Sequence, residues 1–285
     1  MPQIIDGKQI AMQIKEELKE RVARLKQAGK SVCLAVIQVG NDPASTVYVN
    51  GKKKDCAYIG IESRSYELPE ETKEEELLAL LDQLNHTEDV HGILVQLPLP
   101  SHMDESKVVK AIDPAKDVDG FHPVNIGKLC IGGDGFDCCT PAGVIQLLKR
   151  SGISIRGREC VVVGRSNNVG KPTALLLLRE NGTVTIAHSQ TKDLKEITKR
   201  ADILVAAVGK PKFITKEYIK ENYKEASLEN AADVGIHRNE DNVLCGDVDY
   251  DDVIEKVGAI TPVPGGVGPM TRAMLMYNCV EAACK

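Results

Sequence analysis

The chain has 285 residues, 42% of them apolar and 27% charged, which suits one large soluble domain or two of ordinary size. Its 36 Lys and Arg stand against 41 Asp and Glu, and a net charge of -5 argues against a protein whose main task is gripping nucleic acid. With no Trp and 4% aromatic residues, base-stacking platforms are not expected either.

The N-terminus mixes charged with apolar residues from its first turn, which predicts no signal peptide. Ile10, Ile14, Leu18, Val22 and Leu25 recur at helical spacing over residues 6–26, and Gly29 stops the helix. Residues 32–39 form an apolar run suited to a buried strand. Asp42 and Pro43 then open a helix as N-cap and first residue, running to about Tyr58. A strand over 61–68, an amphipathic helix over 72–84 and a buried strand over 91–97 follow, the last ended by Pro98 and Pro100. This alternation predicts a parallel sheet covered by helices. Residues 113–140 read as a loop-rich stretch. A helix over 141–149 leads into a second series: strand 159–163, helix 172–180, strand 183–187, helix 193–200 and strand 203–208. A last helix spans 270–284. The longest apolar runs, 174–178 and 203–208, are far too short to span a bilayer, so no membrane partner is expected. The fold class is therefore α/β with two domains, their boundary near 120–140.

The nine cysteines lie at 33, 56, 130, 138, 139, 160, 245, 279 and 284, with no Cys-x-x-Cys pair. That spacing predicts reduced thiols in a cytoplasmic protein and no metal site.

Residues 160–173 read CVVVGRSNNVGKPT and place Gly164 at a strand end and Pro172 at a helix start, the strand–turn–helix context of a phosphate-binding loop. There, backbone N–H groups at the helix start would point at the ligand's phosphates. Gly164 and Gly170 stand six apart, and Ser166 occupies the place of a middle glycine. A Walker A loop fits worse, because Pro172 follows Lys171 where Ser or Thr is needed. The next strand ends in His188 and Ser189 without the acid that holds NAD ribose hydroxyls. Arg165 and a hydroxyl suit a 2′-phosphate, so NADP is expected over NAD.

In the first series Tyr48 and Lys52 are four apart on one helix face. A lysine beside an aromatic ring in a cleft loses water, so its pKa falls and proton transfer near neutral pH becomes possible. Gln96 sits at the C-terminal end of a strand, where ligands of open α/β sheets gather. Lys116-Asp-Val-Asp-Gly-Phe121 supplies two carboxylates, able to accept hydrogen bonds from an amino-pyrimidine edge or to build a turn. The Pro- and Gly-rich run 261–271 can bring bare backbone against a flat ligand.

YVNGKK, VQLPLP, KDVDGF, GRSNNVGKP and TPVPGGVGPMT occur in this order over nearly the whole chain. Together they resemble the bifunctional methylenetetrahydrofolate dehydrogenase/methenyltetrahydrofolate cyclohydrolase family of the FolD type. The resemblance implies an N-terminal α/β substrate domain, 1–138, with the helix over 270–285 packed on it. It implies a Rossmann-type NAD(P)-binding domain over 139–269, a folate cleft between the two, and a homodimer. It implies oxidation of 5,10-methylenetetrahydrofolate with NADP+ and hydrolysis of the product to 10-formyltetrahydrofolate. Lys52 is implied as proton shuttle, Gln96 as the residue that orients or tunes it, Tyr48 as a stacking surface and Asp119 as the pterin's partner. Val95 and Leu97 would lend walls or backbone, and Pro264, Gly265, Gly266, Val267 and Gly268 would close over the folate. Gly164, Arg165, Ser166, Ser189 and Ile236 map onto dinucleotide-binding positions. A monofunctional dehydrogenase and a non-catalytic nucleotide-binding protein are the alternatives on this fold. The chain departs from the family pattern at Cys138, where Pro is common, at Ala231 and Ala232, where larger apolar residues are usual, and at His237, where Asn is usual.

Overall fold

A computed structural model of the protein describes residues 2–220, 230–235, 237–238 and 243–285. The first half of the chain contains β1 (Gln3–Ile4), α1 (Gly7–Gln27), β2 (Cys33–Val39), α2 (Pro43–Ile59), β3 (Glu62–Leu68), α3 (Glu74–Asn85), β4 (Gly92–Val95), α4 (Glu105–Ala111) and α5 (Pro123–Ile131). The second contains α6 (Cys139–Arg150), β5 (Glu159–Val163), α7 (Gly170–Arg179), β6 (Thr183–Ala187), α8 (Leu194–Thr198), β7 (Ile203–Ala206), β8 (Asn230–Asp233), β9 (His237–Arg238), β10 (Leu244–Cys245), α9 (Tyr250–Val253), β11 (Ala259–Ile260) and α10 (Val267–Cys284). These elements form two compact units: residues 12–139 with 272–285, and residues 1–11 with 140–271.

The first unit is built on a three-stranded parallel sheet in the order β3-β2-β4. Every residue of β2 is buried, as a central parallel strand between two helical layers requires. Leu77, Leu81 and Leu84 of α3 pack on Ala35, Ile37, Val39, Ile93 and Val95. The chain leaves β2 to one side through α2 and β3, then returns to the other side as β4. The C-terminal ends of β2 and β4 therefore flank a topological switch point, where such sheets bind ligands. The segment expected to be loop-rich contains α5, whose Pro123 occupies the first turn after a His122 cap.

The second unit carries a six-stranded sheet in the order β1-β11-β8-β7-β5-β6, with every pairing parallel. Its switch point lies between β5 and β7. Residues 1–11, which the sequence reading assigned to the N-terminal domain, belong here because Gln3 and Ile4 pair with Ala259 and Ile260 of β11. Val161, Val163, Leu204, Ala206, Ile260, Ile214 and Val253 fill one core. No helix among the described residues is long and apolar enough to cross a membrane.

Candidate active site

In the first unit α2 presents the candidate lysine. Asp42 caps the helix by accepting from Ser45 N at 3.3 Å, and Pro43 follows it, as the sequence predicts. Tyr48 and Lys52 occupy successive turns. Tyr48 is 44% exposed, which leaves a ring face open, whereas Lys52 is buried. Gln96 continues β4 by one residue, its N–H bonding Ile37 O at 2.8 Å. Lys52 Nζ donates to Gln96 Oε1 at 2.9 Å, and Gln96 Nε2 donates to Leu97 O at 2.6 Å. The amide is thus clamped with its oxygen toward the lysine. The Leu97–Pro98 peptide is cis. Val95 is buried in the core, so only its backbone can meet a ligand; Leu97 is half-buried against the same core.

The two carboxylates of the KDVDGF motif divide their roles. Asp117 Oδ2 accepts from His122 N at 2.7 Å and Asn125 Nδ2 at 2.9 Å, which makes it a turn-builder. Asp119 is not tied up in this way. It interacts electrostatically with Lys52 and hydrogen-bonds the Cys139 thiol. Burial pushes the Lys52 ammonium below its ordinary value, against the attraction of Asp119. Burial likewise pushes the Asp119 carboxyl up, opposed by Lys52. Lys52 and Asp119 thus oppose each other's shift, and the lowering of Lys52 is in the direction that eases proton transfer near neutral pH. Cys138, one of the departures, is buried and donates to Gly120 O at 3.0 Å, a packing role. Burial raises its thiol and that of Cys139 far above the ordinary range, which disfavours the thiolate in both.

In the second unit the loop after β5 is held by its glycines. Gly164 has φ +140°, and a Cβ there would collide with Ala207 O in the loop after β7. A Cβ on Gly170 would collide with the Gly164 carbonyl. Ser166 Oγ accepts from Val169 N and Gly170 N at 3.3 and 3.2 Å, and Ser166 O accepts from Lys171 N at 3.1 Å. This corrects the expectation for the helix start: the N–H groups of residues 169–171 are taken by Ser166, not pointed at a ligand. Arg165 and Ser189 are exposed, and His188, Ser189 and Gln190 offer no carboxylate at the end of β6. Ile236 lies outside the described residues. Pro264, Gly265, Gly266, Val267 and Gly268 belong to this second unit, with Gly265 O accepting from Lys8 N at 3.0 Å and Val267 opening α10. Lys52, Tyr48, Val95, Gln96, Leu97 and Asp119 belong to the first.

The sequence reading missed two polar networks. Asp233 accepts from Gly235 N, Asp247 N and Val248 N, and burial raises its carboxyl to about 6. Asp247 is fully buried and accepts from Val208 N, Gly209 N and Lys210 N, fixing the loop after β7. His237, a departure from the family pattern, lies 2.7 Å from Asp247 Oδ1 through Nε2. Ala232, another departure, is buried in β8. The second network joins Lys15, Asp55 and Arg272 near Lys52. A clue to it in the sequence is Gly51 in the middle of a helix.

Residues 5–119 match the catalytic domain of tetrahydrofolate dehydrogenase/cyclohydrolase, and residues 138–285 match its NAD(P)-binding domain. The bifunctional protein FolD of Lachnoclostridium phytofermentans is 68% identical over 285 residues, spanning 100% of this chain and 99% of that protein. The crystal structure of the bifunctional FolD enzyme from Campylobacter jejuni superposes with a TM-score of 0.95 at 47% identity, covering 100% of this chain and 99% of that one. The Trypanosoma brucei dehydrogenase-cyclohydrolase, solved with NADP cofactor and inhibitor, gives a TM-score of 0.91 at 38% identity, over 100% and 98% of the two chains. With both halves of the sequence matched and relatives this similar over their full length, the chain belongs to the tetrahydrofolate dehydrogenase/cyclohydrolase family.

Proposed function

We propose that the protein oxidises 5,10-methylenetetrahydrofolate with NADP+ and hydrolyses the resulting methenyl cation to 10-formyltetrahydrofolate. The buried Lys52 hydrogen-bonded to Gln96, with Asp119 as its counter-charge, carries this reading. The residues fit the dinucleotide: an exposed guanidinium and hydroxyl, with no carboxylate at 188–190, form the donor set a 2′-phosphate needs. Gly164, Arg165, Ser166, Ser189 and Ile236 would hold it, and the bound NADP+ would supply the acceptor for the methylene hydride. Tyr48 offers its ring to the folate's aromatic portion, and Asp119 accepts from the pterin's amino edge.

The hydrolytic step requires three proton movements. Water forms a bond to the methenyl carbon and loses a proton; the resulting carbinol O–H loses its proton as the formyl C=O forms and the carbon–N5 bond breaks, and N5 takes up a proton, so that one proton is released to solvent overall. Neutral Lys52 accepts the proton of the attacking water and delivers one to N5. Gln96 holds Nζ in place through both transfers. Pro264, Gly265, Gly266, Val267 and Gly268 provide bare backbone for the ligand.

We further propose a cytoplasmic homodimer that binds neither nucleic acid nor membrane. Nine free thiols suit a reducing compartment. Ile186 is exposed on β6, the edge strand of the sheet, and Leu178 is exposed on α7; these apolar side chains offer a place for a second copy. Methylenetetrahydrofolate oxidation, compared with NADP+ and NAD+ on the wild type and Lys52→Met, tests the reading. The expected result is NADP+ preference and, in the variant, accumulation of the methenyl cation with loss of hydrolysis. Hydrolysis at the wild-type rate in Lys52→Met would remove Lys52 from the mechanism; no oxidation with either cofactor would remove the dehydrogenase.

A further inference from the structure

The middle of α2 contains an unusual pair of residues for a helix that carries a buried lysine. Gly51 precedes Lys52 in the third turn, where glycine costs about 0.5–1 kcal/mol relative to alanine. Asp55, one turn further on, is 8% exposed. Both are explained by Arg272 of α10. The Arg272 guanidinium occupies the space beside Gly51, where a Cβ would collide with Nη1. Its Nε lies 3.3 Å from Asp55 Oδ2, a buried oxygen with no hydrogen-bond partner. The other oxygen, Asp55 Oδ1, accepts from the buried Lys15 Nζ at 2.6 Å. One carboxylate is therefore shared between a lysine that anchors it and an arginine that it anchors. A planar guanidinium keeps its charge at every relevant pH, so the result is a permanent cation seated next to the turn of Lys52.

We infer that Arg272 is a positioning residue for the hydrolytic step: docked on Gly51 and held by the Lys15–Asp55 pair, it is a fixed positive charge that keeps Lys52 in its proton-accepting form. The inference rests on the proposed role of Lys52. The groups facing Lys52 make the sign clear. Asp119 favours the ammonium, and the buried Cys139 and Cys56 thiols, raised by burial, add no charge near neutral pH; Arg272 is the cation that opposes the ammonium, in the same direction as burial. Tyr48 and Gln96 add no charge while neutral. Without Arg272 the balance at Lys52 shifts toward Asp119, and the lysine stays protonated to higher pH.

The test is the pH profile of methenyltetrahydrofolate hydrolysis in Arg272→Met, Arg272→Lys and Gly51→Ala. If neutral Lys52 is the base, kcat/KM rises with pH through its titration. Arg272→Met is expected to move that rising limb to higher pH, with a loss of about threefold or more at pH 7 that is recovered in alkaline buffer. Arg272→Lys keeps the charge and holds the limb close to wild type. Gly51→Ala displaces the guanidinium from its seat while leaving its charge in the chain, so it moves the limb upward, and the weakened Asp55 contact offsets the gain in helix propensity in the melt. An unmoved limb in Arg272→Met, or in Gly51→Ala if the former fails to fold, overturns the inference. Lys52→Met separates the two ideas, because retained hydrolysis there overturns the role of the lysine itself, whatever Arg272 does.

Discussion

Gln96 offers the sharpest test of the hydrolytic geometry. Gln96→Met keeps the length and flexibility of the side chain and removes both polar ends. Two contacts are lost: the 2.9 Å bond accepted from Lys52 Nζ and the 2.6 Å bond donated to Leu97 O. A hydrogen bond to a charged group is worth about 1.5–3 kcal/mol, and if the first contact is realised in the transition state its loss lowers kcat/KM for hydrolysis by about 10-fold to 150-fold. The second contact is neutral and half-buried, so its loss costs about 1 kcal/mol of stability, or ~2–4 °C in Tm. The assay is the decay of methenyltetrahydrofolate on the purified variant, corrected for the uncatalysed reaction, alongside a thermal melt. Gln96→Glu supplies the electrostatic control. A carboxylate at this position favours the Lys52 ammonium, so activity falls at neutral pH and returns as pH rises. A Gln96→Met enzyme within about threefold of wild type would refute the claim that Gln96 positions the lysine for catalysis.

The cofactor loop yields two further predictions. Arg165→Ala is expected to raise KM for NADP+ by roughly 10-fold to 100-fold and to change KM for NAD+ little, as a lost charge-assisted contact to phosphate predicts; equal losses for both would show that Arg165 does not read the 2′-phosphate. Gly170→Ala forces a methyl group against the Gly164 carbonyl and should cost about 1–3 kcal/mol while weakening NADP+ binding. Calorimetric titration showing an unchanged Kd, together with an unchanged melt, would mean the loop tolerates the side chain.

The elements that could be read from sequence are those whose local signals agree with their packing. β2 is an unbroken apolar run because it is covered on both faces, and α2 announces itself through Asp42 and Pro43. The same Pro signal stood at Pro123, but the surrounding Gly and Asp residues read as loop, so α5 was lost within it. β8, Asn-Ala-Ala-Asp, and the two-residue β1 and β11 have little strand propensity of their own. They exist because neighbouring strands leave backbone groups to be paired. At the site, Lys52 and Gln96 were legible separately as a helix face and a strand end, and the switch point in the sheet brings them together. The union of Lys15, Asp55 and Arg272 had no such guide. It joins α1, α2 and α10, and pairings at that separation leave no periodicity in the sequence. The Ser166 hydroxyl shows the opposite limit: its position in the glycine loop was evident, yet only the fold reveals that it satisfies the helix start internally.

The way the chain is apportioned has a consequence for how it must be made. The unit that holds Lys52 begins at residue 12, but it includes residues 272–285. There Asn278 Nδ2 bonds Val118 O and Asp137 O, and Met276, Cys279 and Val280 are buried. Most of this unit leaves the ribosome early and must wait, with its core open, until the final turns of α10 arrive. The other unit also closes late, since β11 must emerge before the strand formed by residues 3–4 has an edge to join. A product that stops short of α10 therefore leaves Val118 O and Asp137 O without Asn278 and the first unit without the buried side chains of that helix.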